Sequence, residues 1–589
     1  MKLSDYVAYF FASIGIRHAF VVSGGASLHL IHSVEKTQGI THICCHHEQA
    51  AAMAADGYFR VTGRPGLAIS SSGPGATNLI TGICGCFYDS IPAFFITGQV
   101  ASFRMAMDSM VRQVGFQETP IVDITRPITK YSVQINEPNQ IRYELQKAYF
   151  LATNGRPGPV LIDIPDDFQR IEVDINHMPE YVNDSKMLPN AADLDNICSE
   201  LVSRLNSSNR PVLIAGWGVY LAGCKNQFLT LVNELNIPVA LTWGASDLLP
   251  TNHPLRVGTF GTHGTRFSNF AVQNADFILS IGSRLDTKAT GSPPRTFARE
   301  AWRAVNDISL AELNKFSDYG LRIDSLIHAD ASDFISALIP RVKPSVCDNW
   351  KDCIEAWKTR YPVTKEERYR GIFVDPYNLF DILCDYVPDV VHIFSDTGST
   401  IAWLMQAYKP KKGHRVWHDF NNTAMGWALP ASIAAALADP STTTYCIVGD
   451  GSLMMNLQEM QTVVSYGLNI KIICLCNNGY SMIQQTQDQW LGGNYIASSP
   501  HGGVGIPDFC EVCKAFGVQV SRVSSNRHLP EKLSWLLESN SSSFLLVDID
   551  SRCRVAPQVK FGRPNEDPEP LLDRNLFIKE MITRPIHNC

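Results

Sequence analysis

Charge is scarce in this sequence, and neither sign dominates it. Of 589 residues 18% are charged, and 50 basic against 57 acidic side chains leave a formal net charge of −7. So mild a balance argues against nucleic acid as a partner. Long apolar runs are lacking too. The best candidate, residues 424–438, is interrupted by Pro430 and falls short of the roughly 20 residues that span a bilayer, so no membrane partner is expected. The opening Met1-Lys2-Leu3-Ser4-Asp5 has no signal-peptide core. Nor is there a cysteine framework. The 16 cysteines are scattered, mostly inside apolar stretches (Cys44, Cys45, Cys84, Cys86, Cys446, Cys474, Cys476). That usage fits reduced, buried thiols and a cytoplasmic location. Cys510-x-x-Cys513 has no second Cys or His pair nearby, and FCEVCKAFG has helical spacing, so it reads as a core helix.

What the chain does hold is a pattern of buried strand, glycine turn and helix, clearest over residues 444–481. A strand at 445–448 turns at Gly449-Asp450-Gly451, and a helix is expected next, with Leu453, Leu457, Met460 and Val464 on one face. A second apolar run, 470–476, stops at Asn477-Asn478-Gly479. Ligands of open parallel sheets sit at the C-terminal edge of the strands. Both turns place hard oxygen donors there: the Asp450 carboxylate and the Asn477 amide. Oxygen donors with one net negative charge suit Mg²⁺ or Ca²⁺, the former where diphosphate oxygens complete the octahedron. The helix start after Gly451 adds N–H groups for the phosphates. A lone Gly-Asp-Gly is usually a mere turn; the Asn-Asn-Gly downstream makes it a candidate site.

Residues 1–175 read as repeated βα units, with strands at 19–22, around 43, and at 66–70, 93–97 and 160–164. The unit at Gly66 echoes the later one, with 18 residues from Gly73 to Ile91 against 19 from Gly449 to Leu468. Two similar α/β halves are expected, and Pro74 stands where the later half has its acid. His46-His47-Glu48 opens an alanine-rich helix, and composition alone makes Glu48 a first-turn carboxylate favoured by the macrodipole. After a polar linker at 176–188, a second α/β domain covers 190–342, with strands at 212–215, 239–241, 277–281 and 304–308. Asp307 and Asp330 each close a strand-like run, where an acid can hold a ribose hydroxyl; the plain alternative is a structural domain with ordinary turn glycines. A charged connector at 344–371 leads to the last domain, 372–555, with a helix from Asp375, a strand ending at Asp396, and a helix start at Thr423. The tail, 556–589, is expected to wrap over the site or a partner subunit. The fold class is α/β: three doubly wound domains with mostly parallel sheets.

The Gly-Asp-Gly and Asn motifs resemble the diphosphate-binding motif of thiamine-diphosphate enzymes. Cys476 stands where that family usually has its first Asn, so the metal ligands fall on Asp450, Asn477 and the carbonyl of Gly479. The resemblance implies pyrimidine-binding (1–175), central (190–342) and diphosphate-binding (372–555) domains. It also implies a role for Glu48: hydrogen bonding to the cofactor pyrimidine and, in a buried setting, relaying a proton. Thr397, Gly398, Thr423, Ala424, Met425, Gly449, Gly451, Ser452, Tyr480 and Met482 become cofactor contacts, Met425 propping the cofactor in its bent form. Nearly the whole chain is similar to the acetolactate synthase branch. Ser23-Gly24-Gly25-Ala26 resembles its loop on the reactive face, and residues 115–120 and 125–130 its substrate segments, so Gly25, Ala26, Phe116, Gln117 and Lys130 are expected there. Segments THGT (262–265), GSRLD (282–286) and NDISLAEL (306–313) look like contacts to a structural FAD. They bring in Arg156, Gly216, Thr259, Gly261, His263, Gly282, Arg284, Asp307 and Asp330.

The family's chemistry implies decarboxylation of a 2-oxo acid, pyruvate by resemblance, and transfer of the acetyl unit to a second carbonyl. Here the sequence departs from acetolactate synthases. Thr486 replaces a Trp that crowds the acceptor pocket, and Lys288 replaces an Arg that grips the acceptor carboxylate. Lysine is a point charge without the bidentate fork. A bulkier ketone acceptor is expected, and NNGYSMIQQTQDQWLGG is similar to acetolactate-synthase-like enzymes of polysaccharide loci, some of which act on nucleotide-linked keto-deoxysugars. Acetolactate synthase proper, a simple decarboxylase using His46-His47, and a non-catalytic subunit of the same fold stand as alternatives. The resemblance also implies a homodimer or tetramer, with Glu48 of one chain meeting the cofactor held by Asp450 and Asn477 of another.

Overall fold

The computed structural model describes residues 1–106, 110–183, 191–364 and 372–586. Residues 184–188 of the expected linker and 365–371 of the connector lie outside that set. Three six-stranded sheets carry the chain, and every strand pair in them is parallel. The first contains β1 (His18–Val21), β2 (Thr41–Cys44), β3 (Gly66–Ser70), β4 (Ala93–Gln99), β5 (Tyr131–Gln134) and β6 (Val160–Pro165), in the order β2-β1-β3-β4-β6-β5. The second contains β7 (Pro211–Ala215), β8 (Val239–Leu241), β9 (Arg256–Thr259), β10 (Phe277–Ile281), β11 (Trp302–Asp307) and β12 (Ser325–His328), in the order β12-β11-β10-β7-β8-β9. The third contains β13 (Val391–Ser395), β14 (His414–Trp417), β15 (Thr443–Gly449), β16 (Ile470–Cys476), β17 (Gln519–Val523) and β18 (Ser543–Asp548), in the order β14-β13-β15-β16-β18-β17.

The first and third sheets therefore share one strand order, as the echo between Gly73 and Gly449 implied. The second has the order of dinucleotide-binding folds. Central strands such as VLIDIP, FILSI and IKIICLC are buried throughout, because helices cover both faces and each strand must be apolar on both sides.

Five expectations change. The helix after Gly451 is interrupted by a 3₁₀ turn at Leu457–Glu459, between Asp450–Asn456 and Met460–Ser465. That shift buries Val463 and leaves Val464 exposed. The helix expected from Thr423 starts at Ala428; Thr423 (φ 53°) and Gly426 (φ 83°) are left-handed and cannot lie in it. The connector is helical over Asp348–Arg360, whose Trp350, Ile354 and Trp357 enter the middle-domain core. Cys44 is exposed, whereas Cys510 and Cys513 lie buried on a short helix as expected. The tail crosses the helix Ser481–Trp490, where Gln485 donates to the Val555 carbonyl, and then runs over the middle domain of its own chain. There Glu566 accepts from Gln273, and Phe577 and Met581 join the core. Among the described residues no helix is long and apolar enough to cross a membrane.

Candidate active site

At the C-terminal edge of the third sheet, strand order reverses between β13 and β15, and the loops after both strands converge. Asp450 follows β15 and is 2% exposed. Its Oδ1 accepts the Gly451 N–H at 2.7 Å, and Oδ2 accepts those of Asn477 (3.0 Å), Asn478 (2.7 Å) and Gly479 (3.3 Å). Burial pushes its carboxyl up to about 6 against these bonds; a cation at that point would favour the anion. Beside it the Asn477 Oδ1 is buried and has no hydrogen-bond partner. An orphaned amide oxygen next to a carboxylate fits a divalent cation taking oxygen ligands. Among the described residues no cluster of three or more His, Cys, Asp or Glu offers another kind of metal site.

The remaining nominated contacts collect around this pair. A Cβ on Gly451 would fall 2.3 Å from the Tyr480 ring and 3.6 Å from the Met425 methyl, so the turn must be glycine. Gly398 (φ 77°) faces Met482, and a Cβ on Gly449 would lie 3.2 Å from Thr400 Oγ1. Asp396, which the sequence reading passed over, ties these loops together. Its buried carboxylate accepts from the N–H groups of Thr397 (2.9 Å), Gly426 (3.0 Å) and Ala428 (3.4 Å), and from Ser452. Its place after β13, matching that of Asp450 after β15, was the available signal. The Ala424 N–H is held by Asp419 at 2.9 Å. Thr486 lies one turn beyond Met482 on its helix and bonds back to the Met482 carbonyl.

The matching edge of the first sheet gathers a second group. Glu48 begins the helix Glu48–Thr62, and its Oε2 accepts from Asn78 Nδ2 at 2.9 Å. A Cβ on Gly75 would stand 3.5 Å from Glu48 Oε1, and one on Gly73 would stand 2.9 Å from Gln117 Cβ. Ser71 Oγ accepts the Ala26 N–H at 3.3 Å, while Gly25 borders open space. Gly25, Ala26, Glu48 and Gln117 are thus brought together. Within one chain Glu48 is half-buried rather than buried, and Phe116 is 85% exposed. Lys130 stands apart at the sheet edge, its Nζ donating to the Asn154 carbonyl at 2.7 Å, and burial lowers its pKa to about 8.

The third feature is a cleft of about 1200 Å³, open mouth included, over the switch point between β7 and β10. Arg156, His263, Gly282, Arg284, Lys288, Asp307 and Asp330 line it. Gly218 and Gly282 bring backbone to its surface, and Gly216, which does not line it, packs just behind: a Cβ there would meet the Gly282 carbonyl at 2.3 Å. Gly261 backs the wall against the Lys288 carbonyl, and Thr259 faces away to donate to Met405 O at 3.0 Å. Arg156 and Arg284 converge on Glu312 at 2.5 and 3.4 Å. Burial alone would raise Glu312, but Lys315 and the two guanidinium groups hold its carboxyl down at about 2. Burial raises the Asp307 carboxyl. Lys288 is open to water in the cleft yet walled by protein; the resulting desolvation lowers its pKa, and its Nζ lies 5.5 Å over Trp243. A glycine floor, two arginines and two acids suit a dinucleotide.

Comparison with known proteins falls on the same three sheets. Residues 1–122, 198–338 and 396–549 match the N-terminal TPP binding, central and C-terminal TPP binding domains of thiamine pyrophosphate (diphosphate) enzymes. Those matches define the class. The chain is 32% identical over 571 residues to the acetolactate synthase large subunit of Lactococcus lactis, covering 96% of this chain and 95% of that one. It is 31% identical over 568 residues to the isozyme 1 large subunit of Escherichia coli (96% and 97%), and 32% over 573 residues to the probable large subunit of Methanocaldococcus jannaschii (93% and 92%). The chain belongs to the acetolactate synthase family of thiamine-diphosphate enzymes, and is a carboligase in type.

Proposed function

We propose that the protein decarboxylates pyruvate and transfers the acetyl unit to a ketone acceptor bulkier than a second pyruvate, such as a nucleotide-linked keto-deoxysugar. The observation that carries the core of this reading is the buried, unpartnered Asn477 oxygen beside Asp450. When bound, thiamine diphosphate supplies the electron sink that lets CO₂ leave and the acyl carbon attack. Asp450, Asn477 and the Gly479 carbonyl would hold Mg²⁺, the N–H groups from Gly451 would bind the diphosphate, and Met425 would pack against the cofactor. Glu48 moves a proton at the pyrimidine, while Gly25, Ala26, Phe116 and Gln117 face the substrate. Glu48 and Asp450 keep to separate domains in one chain, which supports a homodimer whose sites combine the two chains' halves. The cleft at Arg156, Gly282, Arg284, Asp307 and Asp330 would hold FAD.

Lys288 and Thr486 support the open acceptor pocket, since neither clamps a carboxylate bidentately nor fills space as a Trp does. Acetolactate synthesis from two pyruvates is the second reading, supported by the names of the full-length relatives. One experiment separates them. Purified protein, checked for flavin absorbance, is incubated with thiamine diphosphate, Mg²⁺ and pyruvate over a dilution series, and acetolactate, acetoin and acetaldehyde are followed. Slow pyruvate loss, accelerated by a keto-sugar nucleotide and falling per chain on dilution, is the expected result. Fast acetolactate formation without another ketone would overturn the bulky-acceptor reading.

A further inference from the structure

The 3₁₀ turn after the metal-site helix has a consequence at the other half of the site. It points Glu459 out of the third domain and into the first, where the side chain is 0% exposed. There Oε1 accepts the backbone N–H of His46 at 2.9 Å, and Oε2 accepts the Thr462 hydroxyl at 2.6 Å. Farther along, the Tyr466 hydroxyl accepts the N–H of Cys44 at 2.7 Å. Cys44 ends β2, and residues 45–47 are all that separate it from Glu48. His47 completes the set from within, its Nδ1 capping the helix by accepting the Gln49 N–H at 3.0 Å. The strand-to-helix turn that delivers Glu48 is therefore held by two side chains of the third domain. Behind it the helices Glu48–Thr62 and Ala428–Ala438 touch backbone to backbone at Gly57 and Ala431. An isolated buried carboxylate is costly; burial raises the pKa of Glu459, and the Thr462 hydroxyl and the His46 N–H counter that only in part.

We infer that Glu459 is a positioning residue for Glu48: by fixing the His46 backbone it sets where the Glu48 carboxylate stands against the cofactor. This rests on the proton-handling role proposed above for Glu48. The competing role is adhesion between domains with no effect on Glu48. Variants Glu459→Ala, Glu459→Gln and Tyr466→Phe are compared for thermal midpoint, thiamine diphosphate affinity and exchange of the bound cofactor's thiazolium C2 proton with solvent. Glu459→Ala is expected to slow that exchange by 10- to 100-fold, since a misplacement near 1 Å costs about 10², with affinity little changed. Glu459→Gln retains an acceptor for His46 and restores exchange to within about threefold, a loss smaller than one ordinary hydrogen bond. Tyr466→Phe, which leaves the buried carboxylate alone, slows exchange several-fold and keeps the position testable if Glu459→Ala does not fold. Parental exchange in both Glu459→Ala and Tyr466→Phe, with lowered thermal midpoints, would mean adhesion alone. Glu48→Gln is the control: parental exchange there would overturn the role of Glu48 itself, a failure distinct from that of Glu459.

Discussion

Asp163, in the middle of β6, is 1% exposed. Thr97 Oγ1 donates to its Oδ1 at 2.6 Å and Gln99 Nε2 to its Oδ2 at 2.9 Å. Burial outweighs both bonds and pushes the carboxyl up to about 7 from 3.8. The folded chain therefore holds a proton between those values that the unfolded chain releases. The stability this contributes is present at low pH and is lost as pH rises toward 7. Asp163→Asn cannot ionise, and its amide can still donate to Thr97 and accept from Gln99. Its thermal midpoint relative to the parent should climb from pH 5 to pH 8, by an amount equivalent to about 1–3 kcal/mol. A difference flat in pH would mean that Asp163 titrates as an ordinary carboxylate. Nothing in VLIDIP announces this behaviour, because the partners lie 66 and 64 residues away. Asp450, Asn477 and Glu48 were legible for the opposite reason: each sits at a strand end or helix start whose local pattern already implies an exposed edge. Asp396 had that same local signal. Glu459 did not, since its partner is a backbone N–H in another domain.

Among elements, the strands were the most legible, since strands buried on both faces are apolar on both and no tertiary partner is needed to see them. Helix phase was less so. Leu453, Leu457, Met460 and Val464 keep helical spacing, but the turn at Leu457–Glu459 resets the phase so that Glu459 can reach His46. Helix contacts carry their own signal in small residues: AAAMAADG of the helix Glu48–Thr62 meets ALPASIAAALA of Ala428–Ala438. At their crossing a Cβ on Gly57 would stand 2.6 Å from Ala431 Cα and 2.7 Å from its carbonyl oxygen. Two effects of Gly57→Ala oppose each other. Helix propensity favours alanine by about 1 kcal/mol, whereas forcing two backbones apart costs about 1–3 kcal/mol. The neighbour is backbone and cannot rotate away, so the clash should win and the thermal midpoint should fall. A raised midpoint in Gly57→Ala would show that the helices do not approach this closely.

At the scale of the whole chain, the three sheets meet around one cation. Arg60, on the helix that starts at Glu48, bonds Asp56 at 2.6 Å and Asp89 at 2.7 Å, and all three side chains are at most 1% exposed. Its guanidinium lies 4.8 Å from the Phe420 ring centre, 5.0 Å from that of Trp427 and 5.8 Å from that of Trp217. The carboxylates reach outward in turn. Asp56 accepts from Trp427 Nε1 at 2.8 Å, and Asp89 accepts the Phe420 and Asn421 N–H groups, while Trp217 Nε1 donates to the Asp89 carbonyl at 2.9 Å. One arginine thus pairs with two acids that hold the middle and last domains to the first. Removing a partner from a buried ion pair costs about 3–5 kcal/mol, because the remaining charge is left without compensation. Arg60→Ala leaves two such charges and should lower the thermal midpoint sharply. If the junction couples the domains, the variant's calorimetric trace should also separate into more transitions than the parent's. Adding Asp89→Asn removes one stranded charge and keeps one of the two oxygens, which in the parent accept separately from Phe420 (Oδ2) and Asn421 (Oδ1), so the double variant should recover part of the loss. Failure of the double variant to recover would place the damage in lost packing against Trp217, Phe420 and Trp427. An Arg60→Ala protein unfolding in one step at the parental temperature would mean that this junction does not join the domains.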